Sequence, residues 1–330
     1  MSRQGSRRAR HDLTAVDLKH LQALIGVAEC GSFSAAAEAI GTVQSNVSAH
    51  VAKLERELDA LLVDRSTCRV TEEGQVVVDR GRRMMIELEA MVADVMALRQ
   101  QVVGTVRVGM IGTTGRWLVP QLFARLRARH PHVRMSVADG TSSSLEPQLV
   151  TGHLDVAVVT LPVPGDELSA TPLFEEDLML VVPCDHPLAR RPAKKRGGPA
   201  PLPLAALADL ELLLPLPGTP LRDEIEAAVL PAGITLRPSM ELDGLRMLAS
   251  LTFDGYGPAI LPATAVPFHL RDRFVLLALE GFPRRRVGVA MRRRGLPSAP
   301  TRALIDLLYE VVVDPAAAPD GLHPTDRSGR

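Results

Sequence analysis

Gln44, Ser45, Asn46, Ser48, His50 and Lys53 lie within one short segment whose apolar positions are Val43, Val47, Val51, Leu54 and Leu58. That spacing buries one face of a helix and leaves the polar set on the other. Gln and Asn can pair bidentately with adenine, and Ser can reach either kind of base edge, so this face suits a major groove. A plain solvated helix face is the alternative reading, and His50 and Lys53 fit either one.

Other constellations carry less. Gly109, Gly112 and Gly115 are spaced GxxGxxG, and no acidic residue follows at a strand end, which excludes a dinucleotide loop. The stretch GTTGRW nevertheless lies between a strand pattern and a helix pattern, where backbone N–H groups point at a crevice. Thr113, Thr114, Thr141, Ser142, Ser143 and Thr219 add hydroxyl donors near such crevices, a chemistry suited to a carboxylate or similar anion. Each hydroxyl serves equally well as a helix cap or turn residue. Cys184, Asp185 and His186 are adjacent and cannot easily converge on one ion, and no paired His or Cys spacing supports them. Hence no metal site, cofactor or catalytic constellation is expected, and the chain reads as a non-enzyme.

Composition sets wider bounds. A chain of 330 residues with 46% hydrophobic and 23% charged residues forms two or three globular domains. Zero formal net charge excludes a protein that binds nucleic acid over its whole surface, though not a small reading domain on a neutral body. Three scattered cysteines without a CxxC pair point to a reducing compartment. The basic N-terminus has no apolar core behind it, and no apolar run reaches about 18 residues, so a cytoplasmic protein without a membrane span is expected.

The reading residues need elements to hold them. An amphipathic helix over 15–29 ends at Gly31, and an Ala-rich helix runs from Phe33 to Ile40. Gly41 and Thr42 then break into the helix that begins at Val43. Together these make a helix-turn-helix, with Ala35 to Ala37 letting the helices cross closely. Residues 1–14 form a disordered basic arm, either a bare leader or a phosphate-touching tail. Ser66 to Val70 is a short β-favouring wing, with Arg65 and Arg69 as candidate phosphate contacts or solvated arginines. Residues 15–74 thus form the reading domain.

Thr71, Glu72 and Glu73 start a long helix expected to reach about Gln101. Val77, Gly81, Met84, Leu88, Met91, Val95, Leu98 and Val102 recur along it at spacings of four and three. Such a stripe without a local partner predicts self-association through this 75–103 segment. After Gly104, strand and helix patterns alternate to about residue 313, implying an α/β domain with parallel strands. Residues 190–203 read as a surface insertion, and 314–330 as a disordered tail.

The sequences LKHLQALIGVAECGSFSAAAEAI, QSNVSAHVAKLERELDALLVDR and TEEG, followed by VGTVRVGMIGT, GHLDVAVV and FDGYGPAILP, resemble the LysR-type transcriptional regulators from Leu13 to Val313. The resemblance implies an all-α winged helix-turn-helix with a long linker helix. It also implies an α/β effector domain (104–313) of two subdomains of periplasmic-binding-protein type, the second spanning roughly 183–266. It places Ser34 on a phosphate and turns Gln44, Ser45, Asn46 and Ser48 toward the groove. The hydroxyl-bearing loops would line an effector pocket between the subdomains. Double-stranded DNA, a small-molecule effector, RNA polymerase and further copies of the chain (dimer or tetramer) are the partners implied. Two positions depart from the family pattern. Val43 stands where Ser or Thr usually precedes Gln44, leaving Thr42 or the Gly41 turn to cap the helix, and Ala49 stands where Arg is common. The rival readings are a small-molecule-binding protein or enzyme with an N-terminal interaction module, and a DNA-binding regulator indifferent to any effector.

Overall fold

The computed structural model describes residues 16–190, 201–270 and 272–325. The basic arm 1–14 and most of the 190–203 insertion lie outside the described residues. The chain forms two units, one reaching Val92 and also holding residues 151–153, the other holding the rest.

In the first unit, α1 (Leu18–Cys30) opens on a capping box: Asp17 accepts from the Lys19 N–H, and the His20 side chain reaches back to the Asp17 N–H. It stops at Gly31, whose φ of 69° only glycine adopts freely. Helix α2 (Phe33–Ile40) is capped by the Ser32 hydroxyl, and α3 (Gln44–Leu58) follows the Gly41 turn. A Cβ on Gly26 would lie 2.8 Å from Ile40, so glycine there lets α1 and α2 approach closely. Leu24, Val27, Ala36, Val47, Val51 and Leu54 form the buried centre. Strands β1 (Val63–Asp64) and β2 (Arg69–Val70) pair antiparallel as the wing. The Thr71 hydroxyl then accepts from the Gly74 N–H at the head of α4 (Glu72–Ala97).

Two expectations about α4 need correcting. It ends at Ala97 rather than near Gln101, and Gln100 already has a φ of 61°. Val77 packs into the core of the reading head, and Gly81 sits against Leu21 and Ile25. The stripe open to a partner therefore starts at Met84.

The second unit contains two sheets. The first has strand order β13-β6-β12-β5-β3-β4, from β3 (Gly104–Ile111), β4 (Val133–Gly140), β5 (Val156–Thr160), β6 (Leu168–Glu176), β12 (Arg285–Arg292) and β13 (Leu322–Pro324). The second is β11-β7-β10-β8-β9, from β7 (Leu178–Pro183), β8 (Glu211–Pro215), β9 (Arg237–Leu242), β10 (Ala259–Pro262) and β11 (Phe274–Ala278). Helices α5 (Gly112–Arg129), α6 (Ser142–Thr151) and α9 (Ala299–Val313) belong with the first sheet, α7 (Pro220–Val229) and α8 (Leu245–Phe253) with the second.

Only β3, β4 and β5, and β8, β9 and β10, pair in parallel; β6, β7, β11, β12 and β13 run antiparallel to their neighbours. The expected parallel pairing holds for those three strands of each sheet and stops there, because the chain crosses between the sheets twice, directly from β6 to β7 and from β11 to β12, without a helical crossover. The second sheet accordingly runs from Leu178 to Ala278, wider than 183–266 on both sides. Residues 314–325 also differ from the disordered tail expected. Strand β13 pairs with β6, the Trp117 indole N–H donates to the Ala317 carbonyl at 2.8 Å, and Arg125 pairs with Asp314.

Candidate functional site

The polar face of α3 is open where base contacts are expected: Gln44, Ser45, Asn46 and Lys53 are exposed, and Ser34 is exposed in the first turn of α2. Val43 occupies the N-cap with no side-chain hydrogen bond, and Thr42 does not substitute for it. Its hydroxyl instead accepts from the Asn46 side-chain amide at 3.1 Å, while Gly41 closes α2 by donating to the Ala37 carbonyl. The first N–H groups of α3 thus keep no side-chain cap, and the positive end of the helix dipole faces outward. The Asn46 amide retains its second N–H and its oxygen, the pair that adenine recognition uses.

Ser48 and Arg65 are less free than their sequence positions imply. The Arg65 guanidinium donates to the Ser48 hydroxyl at 3.1 Å and to Glu55 at 2.9 Å, and lies 4.8 Å over the Phe33 ring. Arg65 therefore ties the wing to α3 and α2. Glu55, which sequence reasoning passed over, completes the junction: its second oxygen accepts from the Leu62 and Val63 N–H groups at 3.0 and 3.2 Å. Nothing local marks it, because those partners are seven and eight residues away in a non-helical turn. Asp64 holds the wing tip by accepting from the Ser66 hydroxyl and N–H and from the Thr67 hydroxyl, and these bonds hold its carboxyl below the usual range. Arg69 is exposed on β2. His50 is half-buried with its ring 5.4 Å from that of buried His20, so its packing role is substantial.

The second site lies where the carboxyl ends of the parallel strands in the two sheets meet, the usual ligand position in α/β sheets. Strands β3 and β4 pair up to Ile111 opposite Gly140, which sets the start of α5 beside the start of α6. The GTTG stretch is not a loop but the first turn of α5, and no side chain caps it. Its leading N–H groups remain free of intrahelical partners all the same.

The predicted hydroxyls divide here. Thr141 caps α6 and lies 3.0 Å from the Ser143 hydroxyl, and the Ser142 hydroxyl accepts from the Thr160 N–H. Thr219, half-buried ahead of α7, donates to the Leu216 carbonyl. Thr114, by contrast, is fully buried, and its hydroxyl has no hydrogen-bond partner among the described residues. Buried Thr113 lies 3.5 Å from the Thr264 hydroxyl, which donates to Glu176 at 2.8 Å.

Several residues at this junction were not singled out from sequence. Glu176 ends β6 and Arg285 begins β12, so one buried ion pair, with Nε to Oε1 at 2.9 Å, pins both crossings between the sheets. Arg246 of α8 pairs with Asp139 of β4 and packs over Gly112, bridging the two subdomains at the cleft. Half-buried Glu224 of α7 has its carboxyl pushed up by burial, with Arg285 opposing and Glu176 reinforcing the shift. These pairings join positions up to 151 residues apart, so no sequence spacing announces them.

This two-part architecture is that of a ligand-responsive DNA-binding regulator. Residues 18–75 match the bacterial regulatory helix-turn-helix protein, lysR family, and residues 99–312 match the LysR substrate binding domain. The chain belongs to the LysR family and is a DNA-binding transcriptional regulator with an effector-binding domain. It is 31% identical over 303 residues to a probable hydrogen peroxide-inducible genes activator of Streptomyces viridosporus, covering 90% of this chain and 95% of that one. It is 29% identical over 301 residues to the DNA-binding transcriptional dual regulator OxyR of Escherichia coli K12, with the same coverage. Full-length OxyR of Pseudomonas aeruginosa, bearing a cysteine-to-aspartate substitution, superposes with a TM-score of 0.69 at 25% identity over 89% of this chain and 94% of that one. CbnR bound to its target DNA shares the fold, with a TM-score of 0.62 at 22% identity over 89% of this chain and 99% of that one. These relatives are transcriptional regulators. No single helix among the described residues is long and apolar enough to cross a membrane, and no three metal-ligating side chains gather there.

Proposed function

We propose that Gln44, Ser45 and Asn46 read base edges in a major groove while Ser34, Lys53 and Arg69 contact phosphates. The observation that carries this reading is the open first turn of α3, exposed and uncapped, beside an exposed Ser34. Arg65 and Ser48 hold the wing against α3 in preference to reaching DNA freely. Two copies joined through Met84, Leu88, Met91 and Val95 would present two heads to half-sites about one helical turn or a multiple apart. The protein acts in the cytoplasm without catalysis of its own, and RNA polymerase is the partner through which it alters transcription.

The effector is a small anion seated at the start of α5, where free N–H groups and the unpartnered Thr114 hydroxyl supply donors. The peroxide-inducible relatives raise a thiol mechanism as the second reading. From Ala93 onward the chain has one cysteine, Cys184, exposed with its thiol on the Asp272 carbonyl. An intramolecular disulfide needs two cysteines with Cα atoms about 4.4–6.8 Å apart, so the signal is occupancy of the cleft and not a thiol pair in this unit.

Selection of duplexes from a random pool, with and without metabolite extracts or peroxide, tests both parts. An enriched motif whose binding shifts with an extract is expected. Thr114→Val should remove that shift and keep the motif, and Cys184→Ser should leave both intact. No enriched motif would overturn the base-reading assignment. A response that survives Thr114→Val, or that only peroxide elicits and Cys184→Ser abolishes, would overturn the effector assignment.

A further inference from the structure

A cavity of about 450 Å³ lies along α5 from its second turn onward. Its walls are Arg116, Trp117 and Gln121 of α5, Val266 and His269 after β10, and the C-terminal segment at 316–319. Thr114, Thr141, Ser143 and Thr219 do not line it; buried Thr264 does, and its hydroxyl lies 3.5 Å from that of Thr113. The volume falls within the range of small-molecule sites, about 300–1,000 Å³.

The chemistry of the walls is one-sided. Trp117, half-buried and edge-on to Phe174 with ring centroids 5.7 Å apart, supplies an aromatic face, with Val266 and Pro319 completing the apolar part. The Trp117 N–H is committed to the Ala317 carbonyl, so that ring is fixed in place. Arg116 is exposed and makes no ion pair or hydrogen bond among the described residues, and no carboxylate lines the cavity to neutralise it. His269 stands exposed on another wall. An apolar body with a terminal negative charge satisfies both parts: the ring and aliphatic groups bury the body, and the guanidinium takes a carboxylate bidentately.

The third wall exists only because the chain beyond α9 folds back. That segment is held by Arg125 on Asp314, by β13 on β6, and by the His323 imidazole 3.1 Å from Asp177. Asp177 sits at the β6–β7 crossing, and its carbonyl accepts from the Ala263 N–H, next to Thr264 of the cavity wall. The cavity is thus built against a crossing between the sheets.

We infer that this cavity is a second ligand site, separate from the cleft at the start of α5, for a small amphipathic carboxylic acid of the aromatic or branched aliphatic kind. The inference does not depend on what the cleft itself binds.

Trp117 is the only tryptophan in the chain, so the fluorescence follows the ring that forms one wall of this cavity. The full-length protein is titrated with benzoate, and with benzyl alcohol as the uncharged counterpart, up to about 10 mM, beyond the millimolar affinity a fragment of this size reaches. A saturable change with benzoate, at least about tenfold weaker with benzyl alcohol, is expected. Arg116→Gln and His269→Gln, both at exposed positions, should each weaken it, Arg116→Gln about tenfold or more, whereas Thr114→Val should not. No saturable change, or a change equal for acid and alcohol, overturns the site. So does a change that survives Arg116→Gln and disappears in Thr114→Val, since it would then originate in the cleft.

Discussion

At the scale of single residues, the reading head depends on a glutamate turned toward its own wing. One oxygen of Glu55 takes the N–H groups of buried Leu62 and Val63, and the other takes Arg65. Removing it strands two buried donors and frees the wing. Glu55→Ala should therefore destabilise the head by about 1–3 kcal/mol, the cost of unsatisfied buried groups. In a thermal melt followed by circular dichroism, no loss would overturn the assignment; duplex affinity should fall with it. Glu224 makes a pH-dependent case. Its folded-state carboxyl binds a proton more tightly than in the unfolded chain, chiefly because burial penalises the charge. Stability from the protonated form is present at acid pH and is lost as pH rises through the folded value. Glu224→Gln should melt higher than the parent at pH 7.5, and that advantage should vanish below about pH 4, where both side chains are neutral. An equal offset at both pH values would refute the burial cause.

At the scale of elements, α4 shows how far periodicity reaches. The four-and-three spacing from Met84 to Val95 is visible in sequence, and Met84, Met91 and Val95 are each at least half exposed in one chain. The same pattern misassigned Val77 and Gly81, since it cannot distinguish a partner helix from α1 of the same head. Leu88→Lys with Val95→Lys should convert a dimer to a monomer in sedimentation at micromolar concentration, while the head keeps its melting temperature; an unchanged dimer would remove α4 from the interface. Strands with strong β-forming runs, such as β5, β7 and β10, were legible almost to the residue. Strand β6 was not, because LSATPLFEE carries a proline and owes its place to β12 and β13, both more than a hundred residues on. The segment 314–325 reads as disordered for the same reason: its order comes from Trp117, Arg125 and β6, not from any local propensity. The candidate groove residues were readable because they crowd one helix face. The buried Glu176–Arg285–Thr264 junction was not, because folding alone assembles it.

At the scale of the whole molecule, an effector can alter transcription only if it binds two arrangements of the protein with different affinity. The second unit has the parts for two arrangements: two sheets joined by two short crossings, a buried ion pair where those crossings meet, and the exposed Arg246–Asp139 bridge at the cleft. An exposed bridge of that kind contributes at most about 1 kcal/mol, so ligand contacts in the cleft can outweigh it. Coupling between such a site and DNA is reciprocal by necessity and is commonly about 5- to 150-fold. A metabolite that tightens binding to the selected duplex by some factor must itself bind tighter by the same factor when that duplex is present. Calorimetric titration of the full-length protein with the active metabolite, with and without the duplex, should give two affinities in that ratio. The coupling should also vanish in Thr114→Val, which removes the unpartnered hydroxyl at the start of α5 without touching the reading head. Two equal affinities would mean that the metabolite acts on transcription by some route other than this protein's affinity for DNA.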